Sequence, residues 1–340
     1  MKSSLAHWHV ENETEALQAN PMPSIEQELF KFPAADFVRS CHTELAAKMD
    51  SRRLEGVALG ASGGIDSALA AALCARALRH SGQSRVAALQ MIDARVKGEY
   101  YNSEVYRVVG AEFERIDLTH RIEQAERRLG APSRFLTTMG MKVLLRWLPV
   151  KVRRHIILQI MSANAPSWIT RHYQALTTAH RVRMEVLQNF AADHHLLVVV
   201  CANLTEVSLG FFVEQGVDDA TMGDYAPLAG IYKSQVYRTA GYLGLPDYLL
   251  AQPPSPGFGG IGDEEILGPY EKVDVVLAAL ARSWNEDQIR QELARQSARR
   301  ANHKLAAKRC YRSIAYVRFL RALLESARAK KNLAENEDMS

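Results

Sequence analysis

The sequence predicts an α/β protein: a doubly wound parallel sheet with helices on both faces, followed by a helical C-terminal region. Two observations carry that expectation. Short, wholly apolar runs read as buried parallel strands, and they alternate with longer stretches of helical period. A glycine-rich turn also lies between one such strand and the helix that follows it, at Gly60 to Ser67.

In chain order, residues 1–30 are assigned to an N-terminal arm, because the first 25 carry little periodicity. Ala35 to Lys48 reads as an amphipathic helix. Gly56 to Gly60 is a first buried strand, and the alanine- and leucine-rich Asp66 to Arg79 is the helix after it. Val86 to Ile92 is a second strand, Phe113 to Leu118 a third, and Leu196 to Cys201 the most apolar of the set. Residues 130–175 are long for a connection in such a unit and are read as a helical insert. Within it, Met141 to Met161 is amphipathic and basic (Lys142, Arg146, Lys151, Arg153, Arg154), a pattern that favours a surface or interface helix pair over a membrane-surface role. Beyond Tyr232 the chain reads as helical, apart from a Pro/Gly-rich loop at Pro253 to Gly262. The main domain therefore spans 31–330, and the polar residues 331–340 are assigned to a frayed tail.

Bulk properties narrow the classes of function. A length of 340 residues accommodates one large domain with a full core, and the 47% apolar and 24% charged fractions are those of a globular chain. The net charge of +4 is mild, and no dense Lys/Arg stripe with interleaved aromatics marks a nucleic-acid surface. Cys41, Cys74, Cys201 and Cys310 are far apart in sequence, so no zinc or paired-thiol spacing exists, and free thiols point to a reducing, cytoplasmic setting. Acidic residues at Glu11, Glu13 and Glu15 do not fit a signal peptide, and no apolar run is long enough to span a membrane.

In a doubly wound sheet, ligands bind at the carboxyl ends of the strands, near the point where strand order reverses. The loops after Leu59 and Val200 are where chemistry is expected. In Gly60-Ala61-Ser62-Gly63-Gly64-Ile65-Asp66-Ser67, the glycines let the backbone approach a phosphate, and the helix that starts there turns free N–H groups toward an anion. Ser62 and Ser67 add hydroxyl donors. Asp66 would repel phosphates unless a bound Mg²⁺ bridged carboxylate and phosphate oxygens. The octet lacks a Walker Gly-Lys-Ser/Thr ending and a GxGxxG fingerprint. It resembles the PP-loop of the N-type ATP pyrophosphatases, which implies cleavage of ATP between the α and β phosphates and an adenine nucleotide alpha hydrolase-like fold.

A second, ordered set of segments narrows that resemblance. It comprises Cys201-Ala202-Asn203-Leu204-Thr205-Glu206, Leu209-Gly210-Phe211-Phe212, Asp224-Tyr225-Ala226-Pro227-Leu228, Ile231-Tyr232-Lys233-Ser234-Gln235-Val236, Pro253-Pro254-Ser255 and His303-Lys304. These resemble the ammonia-dependent NAD synthetase family from about Gly56 to Lys304, excepting the insert. The resemblance implies adenylation of the nicotinate carboxylate of deamido-NAD by Mg-ATP, followed by attack of ammonia to give NAD, AMP and pyrophosphate. It implies Asp66 and Glu206 as Mg²⁺ ligands, and ATP contacts from Gly60, Ser62, Gly63, Gly64, Ile65, Ser67, Lys233 and Ser255. The resemblance assigns the catalytic role to Asp66, Glu206 and Lys233. Cys201 stands where the family has a threonine that touches ATP. Arg181, with Arg183 as competitor, Asp224, His303 and Lys304 match residues that hold the dinucleotide. Family members also imply a homodimer.

The match departs toward the acceptor half. The family's Thr-Lys-Tyr-Gly-Asp-Gly becomes Val213-Glu214-Gln215-Gly216-Val217-Asp218, so a substrate-contacting lysine becomes Glu214, and the family's Ser-Ala-Asp-Leu becomes Ser255-Pro256-Gly257-Phe258. Three readings stay open: an NAD synthetase, a paralogue that forms another amide through an acyl-adenylate, and a non-catalytic nucleotide binder. Pyrophosphate release separates the third from the others, and substrate choice separates the first two. The residues before the loop are too few for a glutamine-hydrolysing domain, so nitrogen is expected as free ammonia or from a separate partner.

Overall fold

The computed structural model describes residues 24–52, 54–81, 85–96, 103–130, 147–162, 164, 166–252, 263–299 and 313–338. Among them, β1 (Gly56–Gly60), β2 (Arg85–Ile92), β3 (Glu112–Asp117) and β4 (Leu196–Val199) form a parallel sheet in the order β3-β2-β1-β4. The chain adds β2 and β3 on one side of β1 and then returns to lay β4 on the other. Strand order thus reverses between β1 and β4, and the loops leaving those two strands diverge to form a crevice.

Composition explains each strand's place. β1 and β4 are apolar and buried along their lengths up to the half-buried Gly60, as strands covered on both faces must be. β3 carries Glu112, Glu114, Arg115 and Asp117 and is largely exposed, which suits an edge. The strands expected at Phe113 to Leu118 and Leu196 to Cys201 both exist but end earlier, at Asp117 and Val199. Val200 still pairs, through its N–H to the Tyr225 carbonyl at 2.9 Å.

The helices of the first half are α1 (Ile25–Phe30), α2 (Ala34–Arg52), α3 (Ile65–Ser81), α4 (Ser103–Val108), α5 (Thr119–Arg128), α6 (Val150–Met161) and α7 (Ser167–Asp193). Those of the second are α8 (Leu204–Leu209), α9 (Lys233–Tyr242), α10 (Asp247–Ala251), α11 (Asp263–Leu267), α12 (Tyr270–Ala281), α13 (Glu286–Arg299) and α14 (Ile314–Asp338). Alternate residues of the strands face two separate cores, as the twofold period requires. Val57, Leu59 and Val86 pack with α2, α3, α4 and α9, whereas Ala58, Leu89 and Val198 pack with α5 and α7. A third core joins α1, α6, α12, α13 and α14. Cys41 and Cys74 are free buried thiols, and among the described residues no helix is long and apolar enough to cross a membrane.

Three boundaries differ from expectation. α1 lies inside the segment assigned to the arm, and Ile25 and Leu29 bury it. Its start is tied down by the buried Glu292, which accepts the Ser24 hydroxyl at 2.6 Å and the Glu26 N–H at 3.3 Å. α7 begins within the insert and continues unbroken to β4, so the insert merges with the crossover helix. α14 carries helical backbone to Asp338, into the segment assigned to the tail, because Lys330 to Glu337 is rich in lysine, alanine, leucine and glutamate, all good helix formers. Residues 1–23, 131–146, Ser255, His303 and Lys304 lie outside the described residues.

Gly56 allows β1 and β2 to meet, since a Cβ there would stand 2.1 Å from the Arg85 carbonyl oxygen. Gly56→Ala is expected to cost about 3 kcal/mol of unfolding free energy. The reading is the urea midpoint at unchanged slope, and a midpoint equal to the parent's would show that the strand contact has more room.

Candidate active site

β1 ends at Gly60 and α3 begins at Ile65, leaving a short turn through Ser62, Gly63 and Gly64. Gly63 has φ +81°, a left-handed conformation that a side chain would strain. Asp66 falls in the first turn of α3, where unpaired N–H groups and the helix dipole favour an anion. Under the turn, Tyr106 of α4 accepts the Gly63 N–H at 2.9 Å.

The second wall of the crevice is built by a reciprocal cap. Asn203 Oδ1 accepts the Glu206 N–H at 3.1 Å, and Glu206 Oε2 accepts the Asn203 N–H at 3.3 Å, which starts α8. Fully buried Asn203 also donates from Nδ2 to Asp66 Oδ1 at 3.0 Å, tying the β4 loop to the glycine loop.

Lys233 is the first residue of α9 and completes the cluster. Its ammonium makes a close ion pair with Asp66 Oδ2 and lies 3.7 Å from Glu206 Oε1 and 5.5 Å from the centre of the Tyr270 ring. The lysine side chain is 4% exposed, against 20% for Asp66 and 21% for Glu206, so the cation is sealed from behind while the carboxylates face the crevice. Burial, the largest influence, works against the lysine's charge, but the attraction of Asp66 and then Glu206 helps to outweigh it, and the pKa is raised. The ammonium therefore stays charged at neutral pH.

Behind Lys233 stands a carboxylate that meets no solvent. Asp274 of α12 accepts the Thr205 hydroxyl at 2.6 Å and the Ser234 N–H at 2.7 Å, and Thr205 Oγ1 accepts the Lys233 N–H at 2.9 Å. This brace locks α8, which carries Glu206, to α9, which carries Lys233. Burial pushes the Asp274 carboxyl up to about 6, against the opposing pull of Thr205, Ser234 and Lys233.

The structure thus brings together Gly60, Ser62, Gly63, Gly64, Ile65, Asp66, Ser67, Glu206 and Lys233. Cys201 follows β4, half-buried, and burial pushes its thiol well above the ordinary value, with Asp66, Cys74 and Glu206 adding to the shift. Arg181 donates from Nε to the Glu214 carbonyl at 3.0 Å, whereas Arg183 donates to the Met91 carbonyl at the end of β2, at 2.9 Å. The Glu214 carboxylate is exposed and turns to Lys330 of α14, 3.4 Å away. Asp224 accepts the Val198 N–H at 3.0 Å, so its carboxylate is joined to β4.

Tyr106, Asn203, Thr205 and Asp274 have no assigned role in the sequence reading. Two of them leave a trace there. Asn203-x-x-Glu206 is a capping-box pattern, and Asp274 is a lone charge inside the apolar stretch Val273-Asp274-Val275-Val276. Tyr106 leaves none, since its contact with the loop exists only after folding.

A doubly wound sheet with a glycine turn and a carboxylate–lysine cluster at its switch point defines an α/β protein with a crevice suited to a nucleotide. The chain belongs to the NAD synthase family, whose model matches residues 37–315. It is 29% identical over 252 residues to an NH(3)-dependent NAD(+) synthetase of Coprothermobacter proteolyticus, covering 71% of this chain and 83% of that protein. An NH(3)-dependent NAD(+) synthetase of Thermotoga neapolitana is 30% identical over 247 residues, covering 71% of this chain and 82% of its own length. Among solved structures, an NH3-dependent NAD synthetase from Campylobacter jejuni superposes with a TM-score of 0.54 at 20% identity, over 88% of this chain and 97% of that one. The family and the fold class expected from the ordered motifs are both borne out.

The Asp274 brace yields a pH prediction. The folded chain holds that proton up to about 6, against an ordinary value of 3.8. Its contribution to stability is full below the ordinary value and is lost as pH rises through the folded one. In Asp274→Asn that component disappears, while the amide leaves one buried donor facing a donor, at a cost of about 2 kcal/mol. Urea unfolding across this pH window should therefore show a lower midpoint overall and a shallower decline with rising pH. An equally steep decline in the variant would assign the titration to another group.

Proposed function

We propose that this chain is an ATP-dependent amide-forming ligase. It adenylates the nicotinate carboxylate of deamido-NAD and transfers ammonia to it, giving NAD, AMP and pyrophosphate. The observation that carries the reading is the Lys233 ammonium set against Asp66 and Glu206 beside the glycine turn at the sheet's switch point. Membership of the NAD synthase family, and relatives described as NH(3)-dependent NAD(+) synthetases, support the same reading.

The chemistry suits the residues. A carboxylate is a poor electrophile, and joining it to AMP turns one oxygen into part of a good leaving group. The free N–H groups at the start of α3 face the anion. Lys233, held charged by its neighbours, offsets the negative charge that grows on pyrophosphate as the bond between the α and β phosphates breaks. Asp274, through Thr205 and Ser234, keeps that lysine from retreating.

Asp66 and Glu206 alone would repel a polyphosphate. Their carboxylates already converge on one cation, the Lys233 ammonium, and both are partly open to the crevice. Among the described residues no group of three or more His, Cys, Asp or Glu could hold a metal. Two hard oxygen donors fit Mg²⁺, which commonly takes one or two carboxylates and leaves its other positions to phosphates and water. Asp66 and Glu206 would hold that ion, and when bound it supplies further charge neutralisation.

A second reading, a different carboxylate acceptor, is favoured by Glu214, which puts a negative charge paired with Lys330 at the position where the family carries a substrate-contacting lysine. Turnover of deamido-NAD with ammonia and Mg-ATP, followed by NAD formation, separates the two. Pyrophosphate release without NAD points to the second reading, and no pyrophosphate with any carboxylate removes both. Lys233→Ala is expected to slow pyrophosphate release by about a hundredfold. A loss of less than threefold would remove the lysine from the chemistry.

A further inference from the structure

Tyr106 lies 43 residues beyond Gly63 in sequence yet touches two members of the glycine loop. It is fully buried, and its ring stacks on Phe113 with centroids 5.8 Å apart and planes 21° from parallel. Its hydroxyl accepts the Gly63 N–H at 2.9 Å and lies 2.8 Å from Ser67 Oγ. Ser67 Oγ lies in turn 2.9 Å from Ser62 Oγ and 3.1 Å from the Gly64 carbonyl oxygen. Ser62 Oγ, at the exposed end, accepts the Gly64 N–H at 3.2 Å.

Each of these hydroxyls has one proton to give, which fixes much of their order. Burial pushes the Tyr106 phenol above its ordinary value, so it keeps its proton at neutral pH. The phenol oxygen already accepts from Gly63, and the acceptor within reach of its own proton is Ser67 Oγ. Ser67, filled as an acceptor, is better placed to donate than to receive again, and Ser62 Oγ and the Gly64 carbonyl stand within reach. With Ser67 donating to Ser62, the Ser62 oxygen accepts from both Gly64 and Ser67, and its O–H is left to point out of the turn.

We propose that Tyr106 is a positioning residue of the anion-binding turn. By donating into Ser67 it orients a Tyr106–Ser67–Ser62 hydroxyl chain whose outer end, the Ser62 O–H, is presented to a polyphosphate. This rests on the pyrophosphate-forming reading given above. It also assigns the Gly63 N–H to an internal task, so the contacts to the anion come from Ser62 and the start of α3 and not from Gly63.

The test is calorimetric titration of inorganic pyrophosphate, with Mg²⁺, into the full chain and its variants. Ser62→Ala is expected to weaken binding about tenfold, and Tyr106→Phe by a similar factor. In the double variant binding should be no weaker than in Ser62→Ala alone, because the hydroxyl that Tyr106 orients is gone. A purely structural role predicts instead that the two losses multiply, and that result overturns the proposal. Tyr106→Phe also strips the Gly63 N–H of its acceptor and can unfold the loop. Ser67→Ala then serves in its place, because it breaks the chain in the middle and leaves that acceptor intact. The same absence of additivity with Ser62→Ala supports the proposal, and multiplied losses overturn it. Pyrophosphate that fails to bind the unaltered chain removes the parent reading and this one with it. Binding that weakens in Ser62→Ala but not in Tyr106→Phe or Ser67→Ala removes this one alone.

Discussion

A buried ammonium between two carboxylates is the interaction on which the crevice depends. Lys233 would be costly in its pocket without Asp66 and Glu206, and the two acids, brought together from different strand ends, would repel each other without Lys233. All three sit in the first turn of a helix: Asp66 in α3, Glu206 in α8 and Lys233 in α9. Three helix starts aimed into one crevice set their positive dipole ends beside the two carboxylates, which favours those charges there. The lysine sits at the wrong end of its own helix for its charge, and the carboxylates beside it offset that cost. The Asp274 brace fixes the spacing, so the cluster is held from behind while its acidic side stays open.

Much of this was legible in the residues. Apolar runs of strand length place β1, β2 and β4, because strands covered on both faces have no polar positions to confuse the pattern. β3 is harder, since this edge strand is largely polar and exposed, and only Phe113 and Ile116, one against each core, carry the signal. The glycine octet is readable because close approach to an anion restricts residue type so strongly. The choice between Arg181 and Arg183 was not readable. Two residues apart on a helix, they point about 200° away from each other, and only the packing of α7 sends one to Glu214 and the other to Met91. Tyr106 is the extreme case, because its partners are set entirely by how α4 lies beneath the loop.

The loop after α8 shows how an exposed charge is partnered across the fold. Glu214 finds its counter-ion in Lys330, and the backbone beneath it is held by Arg181. An exposed pair of this kind contributes at most about 1 kcal/mol, so its effect lies in where the charge points more than in stability. Polarity on that wall is therefore set jointly by the loop after α8 and by the last described helix.

That helix has a consequence for how the molecule is made. α14 packs against α8, with Ala327 so near Gly210 that a Cβ on the glycine would stand 3.2 Å from it, and its leucines share a core with Leu209. Glu206 leaves the ribosome more than a hundred residues before α14 does. Throughout that interval the short helix bearing this acid lacks the side of its packing that α14 supplies, and α12 is the earlier partner that shares its core. The packing behind Glu206 is therefore completed by a segment made long after the acid itself.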